Sequence, residues 1–113
     1  MTAVPRRARL DHSAPIFAAL GDPTRLQLVA RLCAGGPQSI ARLTEGSEVT
    51  RQAITKHLIV LADAGLVRGT RRGREKLWQV EAERLAETRA YLDLISKQGD
   101  KALVRLKALV EDK

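Results

Sequence analysis

Apolar residues fall at helical spacing over most of this chain and alternate, as in strands, over one short stretch. Ile16, Phe17 and Leu20 form a first stripe, and Leu26, Leu28, Val29 and Leu32 a second. Ile40 and Leu43 lie three apart. Ile54, Leu58 and Leu61 fall at i, i+4 and i+7, flanked by Ala53, Val60 and Ala62. Each stripe predicts a helix, and the residues around it mark the ends. Ser13 is expected to cap the first helix, with Pro15 in its opening turn and Gly21 as its stop. Asp22 and Pro23 suit the N-cap and first position of the second, which ends at Gly35-Gly36. A short third helix is expected within Pro37–Thr44, then a connector from Glu45 to Val49. The fourth is capped by Thr50 and runs to Ala64, with Gly65 as a left-handed terminator.

The alternation begins at Leu66. Residues 66–70 and 76–80 read as paired strands joined through Arg71-Arg72-Gly73-Arg74. From Glu81 the helical period returns until about Glu111. Leu85, Leu92 and Ile95 make one stripe there, Leu103, Leu106 and Val110 another, with Gly99 between them. Residues 1–11 are Arg-rich, contain Pro5 and show no period, and are expected to form a flexible basic N-terminal arm. The fold class that follows is mainly α with a β-hairpin wing: a winged helix-turn-helix, expected to be homodimeric. One domain is expected over residues 12–113, with a C-terminal dimerisation helix at about 81–111.

Composition narrows the function. A chain of 113 residues holds one domain. With 3% aromatic residues the core must be aliphatic, and the stacking platforms of a single-strand binder are missing. The formal charge of +7 and pI near 10.3 call for a polyanionic partner. Residues 49–76 concentrate that charge: Arg51, Lys56, Arg68, Arg71, Arg72, Arg74 and Lys76 stand against Asp63 and Glu75 alone. No apolar run approaches the ~20 residues of a membrane span, and no signal-peptide pattern opens the chain. A cytoplasmic, nucleoid-associated protein is expected. Cys33 has no second cysteine with which to form a disulfide or a Cys-x-x-Cys zinc site, and its place near an apolar stripe predicts a buried, inert thiol.

The core-facing stripe of the fourth helix turns Arg51, Gln52, Thr55 and Lys56 outward near its N-terminus, where recognition helices meet base edges. Arg51 can bond guanine in bidentate fashion and Gln52 adenine, while Thr55 and Lys56 can reach bases or phosphates. Thr50 and His57 complete the candidate DNA-binding set on this helix. His57 is expected to be half-buried and either structural or phosphate-contacting. Arg71, Arg72 and Arg74 crowd like charges at the turn, which phosphates would relieve. The serines and histidines form no strained elbow, Gly-rich phosphate loop or carboxylate pair, so an enzyme is not expected. A winged-helix module that binds only protein would not need this concentration of positive charge.

The runs Ala19-Leu20-Gly21-Asp22-Pro23-Thr24-Arg25-Leu26, Thr50-Arg51-Gln52-Ala53-Ile54-Thr55-Lys56-His57-Leu58, Leu61-Ala62-Asp63-Ala64-Gly65-Leu66-Val67 and Arg72-Gly73-Arg74 resemble the ArsR-type winged helix-turn-helix repressors of prokaryotes. The resemblance covers residues 13–80. It implies a homodimer, major-groove binding by the Thr50-capped helix, and release from an inverted-repeat operator on double-stranded DNA by an effector. The tail from Tyr91 to Lys107 is similar to members encoded beside START-like hydrophobic-ligand proteins, except that Gly99 stands where those have tryptophan. Metal-sensing members carry Cys-x-Cys before the recognition helix or His and carboxylate clusters in the last helix. Here residues 39–44 read Ser-Ile-Ala-Arg-Leu-Thr and the last helix has no histidine, so no metal and no cofactor is expected. The dimer seam is expected from the first and last helices, through Ile16, Phe17, Leu85, Leu92, Ile95, Leu103 and Leu106. A small apolar effector wedged into that seam, control by concentration alone, and a redox- or metal-responsive sensor using Cys33 are the open modes of regulation.

Overall fold

The structure, a computed structural model, describes residues 7–111. In order it comprises α1 (Arg7–Ala19), α2 (Pro23–Gly35), β1 (Gln38–Ser39), α3 (Ile40–Thr44), α4 (Arg51–Asp63), β2 (Val67–Arg72), β3 (Glu75–Val80) and α5 (Ala82–Glu111). Helices supply the bulk, and a small antiparallel sheet of order β1-β3-β2 closes one side.

The core is what the helical stripes anticipate. Ile54, Leu58 and Leu61 from α4 meet Leu28, Val29 and Leu32 from α2, Leu43 from α3, and Leu66, Val67 and Trp78 from the sheet. Asp22 caps α2 by accepting the Arg25 N–H at 3.0 Å, with Pro23 beside it in the first turn. Gly36, at φ 72°, ends that helix and returns its N–H to the Leu32 carbonyl. Arg31 then ties α2 to the end of α3, donating to the backbone carbonyls of Leu43 and Arg42.

Four expectations need correction. First, α1 begins by Arg7, so the arm expected over residues 1–11 overlaps a helix; residues 1–6 lie outside the described region. Ser13 does not cap α1 but lies buried within it. Packing of α1 along α5, where the Phe17 and Tyr91 rings sit 6.3 Å apart, carries the helix through the weak local stop signals of Ser13 and Pro15. Second, residues 37–39 are not helical. Gln38 and Ser39 pair with Trp78 and Leu77 of β3 as a third strand, and Ser39 caps α3 by accepting the Arg42 N–H. Third, Ile16 is fully buried inside its own domain and cannot form a seam with another copy. Fourth, Cys33 is exposed. Leu28, Val29 and Leu32 define the inward face of α2, and the next position turns the thiol out to the rim of a shallow cleft. That cleft, of about 360 Å³, is shared with Pro37, Val80 and Leu85.

The 30-residue helix α5 leaves the domain. At ~1.5 Å rise per residue it is about 45 Å long, and it accounts for the molecule's elongated 66 × 31 × 20 Å outline. Its first apolar stripe and Leu106 of its second lie on one line, with Leu103 and Val110 flanking it. Leu85, Thr88, Leu92, Ile95, Gly99, Ala102, Leu106 and Leu109 follow an unbroken three-four spacing, the pattern of a coiled-coil seam. Thr88 is buried and Leu85 packs on the core, whereas Leu92 is 53% exposed and Leu106 58%. Gly99 has open space around it and does not interrupt the helix. Among the described residues no helix is long and apolar enough to cross a membrane.

Candidate nucleic-acid interface

The positioning of α4 begins with its caps. Thr50 Oγ1 accepts the Ala53 N–H at 3.1 Å, which satisfies a donor of the first turn. At the other end Gly65, at φ 86°, adopts the left-handed conformation expected of it. The Leu66 N–H reaches the Leu61 carbonyl and the Gly65 N–H the Ala62 carbonyl, at 3.0 and 2.9 Å, a Schellman closure. The chain thus turns straight from the buried end of α4 into β2.

With Ile54, Leu58 and Leu61 at most 1% exposed, the rotation of α4 about its axis is fixed. Arg51, Gln52 and Lys56 are exposed on the opposite side, and Thr55 is partly exposed. The Thr55 hydroxyl donates to the Arg51 carbonyl at 2.8 Å, so it cannot offer that proton to a base. His57 turns to an internal partner. Its Nδ1 lies 3.3 Å from Nη1 of Arg25 and 3.9 Å from Oδ2 of Asp22, linking the middle of α4 to the start of α2. The structural role expected for His57 fits this geometry; a direct phosphate contact does not draw on it.

The hairpin is tighter than the sequence suggests. Arg72 pairs with Glu75 and Arg71 with Lys76, which leaves only Gly73 and Arg74 as the turn. Gly73 has φ 66°, as the first central residue of a type II′ turn requires. Arg71, Arg72 and Arg74, at and beside the turn, are exposed and make no ion pair among the described residues. The other two cations of the hairpin have partners. Arg68 Nε lies 2.9 Å from Oε1 of Glu81, and the Lys76 ammonium sits 4.6 Å from the centroid of the Trp78 ring. Within α4 and the hairpin, the cations left without such a partner among the described residues therefore lie at the wing tip and in the opening turns of α4.

Asp22, Arg25 and His57 were not expected to act together, since 32 residues separate Arg25 from His57. The only sequence signal was the Asp-Pro cap itself. Among the described residues no three His, Cys, Asp or Glu side chains form a set that could hold a metal ion.

Comparison with known proteins assigns the lineage. A helix-turn-helix domain family model matches residues 20–70. The transcriptional repressor SmtB of Mycobacterium tuberculosis is 31% identical over 101 residues, covering 89% of this chain and 73% of SmtB. The solved ArsR-like transcriptional regulator from Rhodococcus sp. RHA1 superposes with a TM-score of 0.71 at 33% identity, over 90% of this chain and 95% of that one. This chain belongs to the ArsR family. It is a winged helix-turn-helix, DNA-binding regulator of transcription, and its relatives are regulators rather than enzymes. The homodimeric winged helix-turn-helix domain of Mb0332 from Mycobacterium bovis shares the fold, with a TM-score of 0.63 at 24% identity over 87% of this chain and 92% of that one. In this ArsR-family domain the fold brings the candidate residues of α4 and the wing to the surface, with Thr50 serving as cap and His57 as link.

The Asp22 carboxyl is held below its usual pKa, chiefly by the Arg25 N–H it accepts and further by the charges of Arg25 and His57. A lowered folded-state pKa means that Asp22 stabilises the fold fully at neutral pH and loses that contribution as pH falls through the carboxylate range. Asp22→Asn keeps a competent cap but removes the charge. Urea unfolding should show wild type more stable than the variant at pH 7, with the gap closing towards pH 3; a gap independent of pH would contradict the assigned role.

Proposed function

We propose that this ArsR-family protein is a repressor that acts as a homodimer on an inverted-repeat operator, and that no metal controls it. The observation that carries the reading is the joint exposure of Arg51, Gln52 and Lys56 on α4 with Arg71, Arg72 and Arg74 at the wing tip. In this reading α4 enters the major groove with Arg51 and Gln52 on base edges, while the wing lies against phosphates or in the minor groove. Repression is supported by the relationship to SmtB, a named repressor. Freedom from metal is supported by the absence of cysteine or histidine from residues 39–44 and from α5.

The exposed length of α5 supports the dimer. A line of leucine and isoleucine, flanked by Leu103 and Val110 and exposed over the outer half of a helix, calls for a partner, and a second α5 carries the matching heptads. Phe17, Leu85, Leu92, Ile95, Leu103 and Leu106 remain candidates for this seam once Ile16 is removed. Two-fold pairing would set the recognition helices about one DNA turn apart, roughly 34 Å. An apolar effector that enters the seam would change that spacing and release the operator; without one, the repressor answers to its own concentration. Exposure of Cys33 favours a second reading, in which oxidation of an outward thiol modulates the same repressor.

Two experiments test this function. Arg51→Ala or Gln52→Ala should cost about 1–3 kcal/mol on an operator selected from random duplexes, and much less on unselected DNA. Arg72→Ala or Arg74→Ala should weaken both and reduce the salt slope by about one unit each. Wild-type binding by the wing variants would reduce the hairpin to a solvated turn. Separately, light scattering should give twice the 12.4 kDa chain mass, and Leu106→Glu should give the monomer without loss of helix. A monomeric wild type would remove the basis for palindromic recognition.

A further inference from the structure

The outward face of α4 is not polar throughout. Ile59 is 48% exposed, four residues after Thr55 and seven after Gln52, and so lies on the same side of the helix as both. It contributes nothing to the core, whose α4 residues are Ile54, Leu58 and Leu61. A single exposed isoleucine is ordinary on a protein surface; its neighbours make this one informative. Arg51 and Gln52 precede it on that face, and Lys56 flanks it. Thr55 has already given its hydroxyl proton to the Arg51 carbonyl, so a methyl group and an acceptor lone pair are all it has left for a partner. Four residues past Ile59 stands exposed Asp63, whose charge opposes phosphate and marks where a DNA-facing surface would end. The middle of the face is therefore apolar; Arg51, Gln52 and Lys56 border it with hydrogen-bond donors and positive charge, and Asp63 closes its far end.

Thymine alone presents a methyl group in the major groove. We propose that Ile59, with the Thr55 methyl beside it, packs on the 5-methyl groups of thymines and makes A·T pairs part of the sequence this protein selects. The proposal rests on the reading that α4 occupies the major groove. It adds a specificity determinant that neither hydrogen bonding nor charge supplies. Burial of one methyl-sized group is worth roughly a fourfold change in affinity, enough to fix a preferred base at one or two positions of each half-site.

The test starts from a duplex selected out of a random pool by the wild-type protein. Each thymine is then replaced singly by uracil, which keeps every hydrogen-bonding group and lacks only the 5-methyl. At one or two thymines per half-site, uracil should weaken wild-type binding roughly fourfold. Ile59→Ala, at an exposed helical site, should keep the helix content and melting temperature. It should bind the thymine duplex several-fold more weakly and no longer distinguish uracil from thymine at those positions. If a specific duplex is selected but uracil costs nothing anywhere, or Ile59→Ala keeps full sensitivity to uracil, the proposal fails while groove binding by α4 stands. If no specific duplex emerges from selection, major-groove reading fails and the proposal falls with it.

Discussion

The structure depends on the burial of one face of α4. Ile54, Leu58 and Leu61 lock that helix against α2, α3 and the sheet, and because side chains on a helix cannot turn independently of its axis, their burial decides what the opposite face presents. Leucine-sized core residues cost ~2–5 kcal/mol to truncate, well above what any exposed polar contact on the other side contributes. The proposed recognition surface is therefore held by apolar packing from behind. Thr50 and Gly65 fix where the helix starts and stops, and the link from His57 to Asp22 and Arg25 fastens its middle to a second helix.

Much of this was legible in the sequence because the signals are local. Asp22-Pro23, Thr50, Gly65 and Gly73 each act within a few residues, and each appears in the structure in the role its chemistry suits. Contacts between distant segments were not legible. Gln38 and Ser39 become a strand only because Trp78 and Leu77 of β3 lie beside them. α1 runs on through Ser13 and Pro15 because its packing on α5 outweighs their local signals. The exposure of Cys33 and the full burial of Ile16 are not encoded in apolar spacing, which gives the face of a helix but not how far round burial extends or which element covers it. Of the candidate site, the exposed cations were read correctly as outward, while the internal partners of Arg68 and His57 required the fold.

The distal half of α5 raises the reverse question, how a sequence pattern hides in plain view. Gly99 and Ala102 occupy two successive positions of the three-four spacing, and their small side chains interrupt its run of leucine and isoleucine. In a paired arrangement those positions would let two helices approach closely, while the leucines on either side supply most of the buried area. The same helix begins inside the domain, where Leu85 and Thr88 are covered and α1 packs along it, and is continuous to Glu111.

The central claim is that one surface, formed by the opening turns of α4 and the tip of the hairpin, meets DNA. Backbone amide NMR of the uniformly labelled protein, titrated with a duplex selected from a random pool, tests it residue by residue. The largest shift changes should cluster at residues 50–59 and 71–74, with the amides of α2 and of the outer half of α5 little affected. Changes concentrated on α2 or α5, with residues 50–59 silent, would contradict the account.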